Sequence, residues 1–357
     1  QLQSSAASDV YKRQEFLMTS KTNLPLKTIY SHGTVGLPMA VYGYPLAIWI
    51  PPHYAGTLGL DIATVGLILM FARFTDVVTD PIIGELSDRW RTPIGRRKPW
   101  LLIGVPVMIL GCFQLYSPSG EVGILYLLLW LTVFFLGATM IMLPHRAWGA
   151  EMSTDYHQRS RITAAREFYY LTGLLFAAMV PMVIEIMNDG GVGVGEVFGK
   201  MWTDAMGAFT GDIMNATPTD RSALTGPVLT ALAWSIAFLL PAAAMVCLIF
   251  VKEPEKQITE ARVPLKEGIA AILRNGPMKR ILLIVLLVHF GESFRNGVSF
   301  FFISEIVGIP TIGAAYFFYF VAGLAAIPFW LALGRRIGKH KAFMSTLLTL
   351  SLIHISE

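Results

Sequence analysis

The sequence predicts an all-α polytopic membrane protein, and three observations carry that expectation: composition, repeated apolar runs, and the loops that hold the basic residues. Hydrophobic residues make up 54% of the chain and charged residues 15%, against about a quarter charged in an ordinary soluble domain. The mean hydropathy is +0.57. Water is the wrong solvent for most of such a surface. A hydrocarbon core about 30 Å thick needs roughly 20 apolar residues per helix, and the chain supplies that length repeatedly. Eight complete runs fall near 35–55, 64–86, 100–116, 122–143, 168–187, 227–251, 281–303 and 313–333, and a ninth begins near Lys341.

Basic residues fall on alternate loops. After the second run come Arg89, Arg91, Arg96, Arg97 and Lys98, and after the fourth Arg146, Arg159, Arg161 and Arg166. The sixth run is followed by a basic stretch from Lys252 to Arg280, and the eighth by Arg335, Arg336, Lys339 and Lys341. The opposite loops hold only Lys200 and Arg221. This positive-inside pattern predicts a cytoplasmic N-terminus. It also excludes nucleic acid as the reason for the net charge of +4, because a nucleic-acid stripe has no cause to skip every other loop. Cys112 and Cys247 both lie in apolar runs and read as packing residues, without a disulfide framework.

At the ends, residues 1–17 read as a non-native or disordered leader before Met18, and the final SLIHISE follows too few apolar residues to complete a ninth crossing. Between the sixth and seventh runs, KEPEKQITEARVPLKEG carries Pro254, Pro264 and seven charges from Lys252 to Lys266. The expected organisation is a six-helix bundle over 18–251, a cytoplasmic linker over 252–278, and an incomplete C-terminal bundle over 279–357. Two sets of spans joined by a charged linker are the layout of secondary transporters, with a central site between halves. The outer stretch 188–225 contains GGVGVG but no following Lys-Ser or Lys-Thr pair, so it reads as a linker and not a phosphate cradle.

Chemistry concentrates in the second run, FARFTDVVTDPIIGELSDRW. On a helix Arg73, Asp76 and Asp80 stand at i, i+3 and i+7 and share one face. An aspartate at bilayer depth costs about 2.5–3.5 kcal/mol on insertion scales, so such residues face a cavity or a partner. An Arg73–Asp76 pair accounts for one acid and leaves Asp80 without one. Neighbouring carboxylates repel, and a bound Na+, Li+ or proton relieves the repulsion. Pro81 removes a backbone donor at the same level, which would free carbonyl oxygens for a hard cation. Beyond it, Asp88 with Arg89 or Arg96 is expected to form a gating charge clasp at the cytoplasmic mouth, beside the alternative that these arginines only fix orientation.

The stretch from Arg73 to Trp100, with RxxDxxxDPxxGxxSD and GRRKPW, resembles the glycoside-pentoside-hexuronide:cation symporters, the melibiose-permease-like branch of the major facilitator superfamily. GLPMAVYGYPLAIWIPPHYAGTLGLD (36–61) and LPHRAWGAEMSTDYHQRSRITAARE (143–167) support it. The resemblance implies the major facilitator fold, with Asp76 and Asp80 as coupling-cation ligands, Thr79 as a neutral oxygen donor, and Arg166 as a sugar contact. Two family acids that meet the sugar are replaced, one by Pro38 and one by Met142, which argues against a melibiose-type galactoside site. In the seventh run HFGESFRNG places Glu292, Arg295 and Asn296 near mid-depth, either as a local ion pair or as substrate contacts. Arg73 joins them as a substrate-site candidate.

The expected function is cation-coupled symport of a sugar or glycoside, by a monomer in a bacterial inner membrane, with no cofactor beyond Na+, Li+ or H+. Alternatives are a lysolipid or other amphipathic solute, and a non-transporting sensor. An enzyme is not expected: the seven histidines form no HExxH cluster, and no GxSxG nucleophile appears.

Overall fold

A computed structural model describes residues 24–188, 199, 222–254, 265–302, 312–338, 341–346 and 348. Among these the regular structure is helical throughout: α1 (Leu26–Gly33), α2 (Gly36–Ile48), α3 (Ile50–Pro52), α4 (Ile62–Arg89), α5 (Lys98–Tyr116), α6 (Ile124–Glu151), α7 (Tyr156–Asn188), α8 (Ser222–Phe250), α9 (Leu265–Arg274), α10 (Gly276–Phe301) and α11 (Ile312–Ile337). Among the described residues five helices are long and apolar enough to cross a bilayer, and a bent pair, Leu26–Leu46 with Ile50–Thr57, makes a sixth. The chain is an integral membrane protein.

Several expected boundaries shift, and two of the shifts have a plain local reason. The first span starts nine residues early at Leu26 and bends by 41°, because Pro45, Pro51 and Pro52 withhold backbone donors where the helix would otherwise run straight. The fifth begins at Tyr156, and Asp155 Oδ1 accepts the Gln158 amide at 3.0 Å. That N-terminal cap lets the polar turns ahead of the apolar run remain helical. By contrast α4 runs unbroken through Pro81, so proline there removes one bond without ending the helix. Asp61 caps its start by accepting the Thr64 amide at 2.9 Å.

Described residues within 1–173 and 220–300 form one compact unit; those within 174–219 and 301–357 form another, in which Tyr316 and Ala342 are buried. The first unit holds the site. Its core lies between α5 and α6, where Met108, Leu115, Leu131, Phe134 and Ile141 are buried. Close approach is permitted by glycine: a Cβ at Gly137 would fall 2.6 Å from the Met108 amide nitrogen. Lipid tails give no hydrophobic drive for helices to associate, so contact area won by small residues holds such pairs together.

The leader at 1–17, the outer stretch 189–198, and linker residues 255–264 lie outside the described residues.

Candidate functional site

Three contacts set α4 beside α6. Arg73 lies over the Phe135 ring at 4.1 Å, the Thr139 hydroxyl donates to Asp80 Oδ1 at 2.9 Å, and Gly84 faces Leu143. Partners advance together along both chains, so the helices run parallel, and the stripe Arg73, Asp76, Asp80 faces the stripe Thr139, Met142, Arg146 at the same i, i+3, i+7 spacing.

Between them lies a cavity of about 150 Å³ lined by Asp76, Asp80, Thr139, Met142, Arg146 and their neighbours. Arg73 Nη1 donates to Asp76 Oδ2 at 3.4 Å. The other oxygen, Asp76 Oδ1, is buried and has no partner among the described residues. A carboxylate oxygen left unsatisfied in low dielectric is costly, and it marks where a cation or a water would be held. Both acids named from the sequence therefore line one small cavity. Thr79 does not line it; its hydroxyl is buried and has no partner among the described residues. The hydroxyl that reaches Asp80 comes instead from Thr139.

A larger cavity, about 760 Å³, shares Tyr42, Arg73, Phe135, Met142 and Arg146 with the small one. Its other walls include Met39, His145, Arg166, Glu167 and Tyr170. Arg166 is thus placed on the cavity, paired with Glu167 at 2.8 Å. Gly36 permits that placement, since a Cβ there would fall 2.6 Å from the Arg166 carbonyl oxygen. Met142 accepts from the Tyr42 hydroxyl at 3.2 Å. Pro38 is buried away from both cavities. On α10, Ser293 reaches the large cavity, whereas Glu292 and Arg295 are exposed and line neither. The Asn296 side chain lies outside the described residues.

Beside the cavity, His32 and His145 lock α1 to α6. Each Nε2 meets the other residue's backbone oxygen, at 3.1 and 2.9 Å, and the rings stack with centroids 4.0 Å apart.

At one end of the bundle the charged residues pair differently from the expected Asp88–Arg89 or Asp88–Arg96 contact. Asp88 pairs with Arg97, not with Arg89 or Arg96; Arg89 pairs with Glu85 one turn back on its own helix. Arg97 is the hub: it is buried, donating to Ser87 Oγ at 2.6 Å and to Glu151 at 2.8 Å. Arg96 binds the other Glu151 oxygen at 2.6 Å, and the Glu253 carboxylate accepts the Arg96 and Arg97 amides at 2.9–3.0 Å. Arg89 points off the cluster because i,i+4 geometry offers it Glu85 first. Arg97, Glu151 and Glu253 were not singled out in the sequence, where they read as parts of separate charged loops. Among the described residues no group of three or more histidines, cysteines or carboxylates forms a metal site.

A helical membrane bundle with ionisable groups lining cavities between its helices is the layout of secondary transporters. The chain matches the family described as MFS/sugar transport protein over residues 31–355 and belongs to that family, whose members are transporters and not enzymes. It is 28% identical to an uncharacterized symporter of Synechocystis over 47% of this chain and 32% of that protein. It is 30% identical to the putative glycoside/cation symporter YagG of Escherichia coli over 42% of this chain and 33% of the relative. With the mouse sodium-dependent lysophosphatidylcholine symporter 1 it shares 23% identity over 72% of this chain and 48% of the relative. These matches span about a third to a half of the relatives' own lengths.

Proposed function

We propose that the protein is a secondary active transporter that couples Na+ or H+ to the movement of a sugar or glycoside by alternating access. One observation carries this reading: the cavity between Asp76 and Asp80 shares five wall residues with the larger cavity, so ion and solute would meet across common side chains. Asp76, Asp80 and Thr139 supply hard oxygen ligands of the kind a Na+ or Li+ ion takes, and Asp76 Oδ1 already lacks a partner. Arg73 and Arg166 face the solute. The basic loops orient the N-terminus to the cytoplasm, and the bacterial symporters among the relatives favour the inner membrane. No cofactor beyond the ion is needed.

Binding of ion and solute should strengthen each other by the same factor, because both contact one shared wall. Sodium-dependent uptake into proteoliposomes tests this. Asp76→Asn and Asp80→Asn should each abolish the sodium stimulation, and its survival in both variants would overturn the reading.

A second cargo is favoured by one finding: the lysophosphatidylcholine symporter match covers more of this chain than the glycoside one. Competition between glycosides and lysolipids in the same assay separates the two.

A further inference from the structure

The short helix between the sixth and seventh apolar runs exposes the face that a helix normally hides. Along α9, Leu265, Ile269, Ile272 and Leu273 recur at i, i+4, i+7 and i+8, so the helix carries one apolar stripe. Glu267 and Arg274 fall on the opposite side. On the stripe, Ile272 and Leu273 are 42% and 59% exposed.

Where α9 ends is fixed by the helix that follows. Asn275 alone separates it from α10. The Asn275 amide donates to the Ala271 and Ile272 carbonyls at 3.1 Å, and its side-chain oxygen accepts the Met278 amide at 3.1 Å. That corner leaves no slack. On α10 every residue from 281 to 287 is apolar and exposed, on all sides of the helix, which is the surface of a segment immersed in a bilayer. At a rise of 1.5 Å per residue, Ile281 stands at most about 9 Å beyond Asn275. The headgroup layer is about 5–8 Å deep on each side of the hydrocarbon, so α9 ends at the membrane surface.

The basic residues at this corner differ from those at the other hinge. Arg89, Arg96 and Arg97 are each paired with carboxylates. Arg274, Lys279 and Arg280 are exposed, and among the described residues they make no side-chain hydrogen bond or ion pair. Arg274 suits the end of α9, where a cation complements the helix dipole. Lys279 and Arg280 stand near the start of α10, where the dipole disfavours a cation, so helix stability does not account for them. Membrane orientation asks for positive charge in this loop, but it asks for no apolar stripe beside it.

We propose that α9 lies in the membrane plane and docks on anionic phospholipid of the leaflet that holds the basic loops. Ile272 and Leu273 enter the boundary between headgroups and acyl chains, and Arg274, Lys279 and Arg280 meet headgroup phosphates. Apolar burial and electrostatic attraction then act together, as they do for in-plane amphipathic helices.

An environment-sensitive nitrobenzoxadiazole label on Leu273→Cys reads the docking in the full chain. Cys112 and Cys247 are buried, and the chain without Leu273→Cys supplies the background. The chain is placed in phosphatidylcholine nanodiscs with a rising fraction of phosphatidylglycerol. Emission should shift to the blue and acrylamide quenching should fall as phosphatidylglycerol rises, and added salt should move the midpoint to a higher fraction. Replacing Arg274, Lys279 and Arg280 by Gln should weaken docking about fivefold for each residue removed, while Arg280→Lys should keep it. An unchanged melting temperature shows that the Gln variants are folded, and the salt shift in the unmodified charges reads the same attraction without them. A label that stays open to acrylamide at every lipid composition overturns the proposal. So does a label shielded in phosphatidylcholine alone and indifferent to the Gln replacements and to salt, because protein or a second copy of the chain then covers the stripe.

Discussion

At the scale of single residues, the proposed ion site draws on one neutral oxygen as well as two acids. Thr139 donates to Asp80 at 2.9 Å, which orients that carboxylate, and its oxygen retains lone pairs for an ion. Thr139→Val should weaken Na+ roughly tenfold, the effect of about 1–1.5 kcal/mol for one hydrogen bond, while Thr139→Ser should remain near the unmodified value. Thr79→Val is expected to leave Na+ dependence unchanged, because Thr79 lies off the cavity. Titrating Na+ against solute binding reads all three variants. Asp76 and Asp80 were legible in the sequence because a charge inside an apolar run is costly and demands a reason. Thr139 was not, since a hydroxyl among leucines and phenylalanines can satisfy itself on its own helix and carries no signal. Only the parallel register of α4 and α6 identifies it.

Helices are where sequence reading worked best and boundaries where it slipped. Each apolar run became a helix within the described residues, but α1 and α7 extend past their apolar stretches through polar turns whose ends are capped or continued. Hydropathy measures what lipid tolerates; capping decides where the backbone stops. Pairing between helices was invisible as well, because glycine contacts need two sequences placed side by side. Gly137 lies against the Met108 backbone, so Gly137→Leu should force α5 from α6 at a cost of about 1–3 kcal/mol or more. A lowered melting temperature in detergent is the expected readout, with Gly123→Ala, where a Cβ meets nothing within 4 Å, as the tolerant comparison. The His32–His145 lock should behave alike: either histidine replaced by Ala removes one hydrogen bond between α1 and α6 and the ring stacking, costing about 0.5–1.5 kcal/mol for the bond alone.

Over the first compact unit, the charge cluster around Arg97 gathers the end of α4, the turn before α5, the end of α6 and the chain after α8. Removing one member of a buried ion network costs about 3–5 kcal/mol, so Arg97→Gln should lose most folded protein on mild heating. Arg89→Gln removes an exposed pair worth about 0–1 kcal/mol and should be nearly silent. The sequence announced a clasp here but misassigned its centre, because neighbouring arginines look alike until burial separates them. Arg73 carries a different consequence. Held between the Phe135 ring and Asp76, it is a cation tethered to the protein that occupies part of the ion's place while the ion is away. On the proposed function an arriving ion would displace it, and a departing ion would leave Asp76 paired again. In the proposed cycle the empty carrier would then return with Asp76 neutralised, and Arg73→Gln should slow that return in proteoliposomes while the loaded step stays intact, which solute counterflow against net uptake measures.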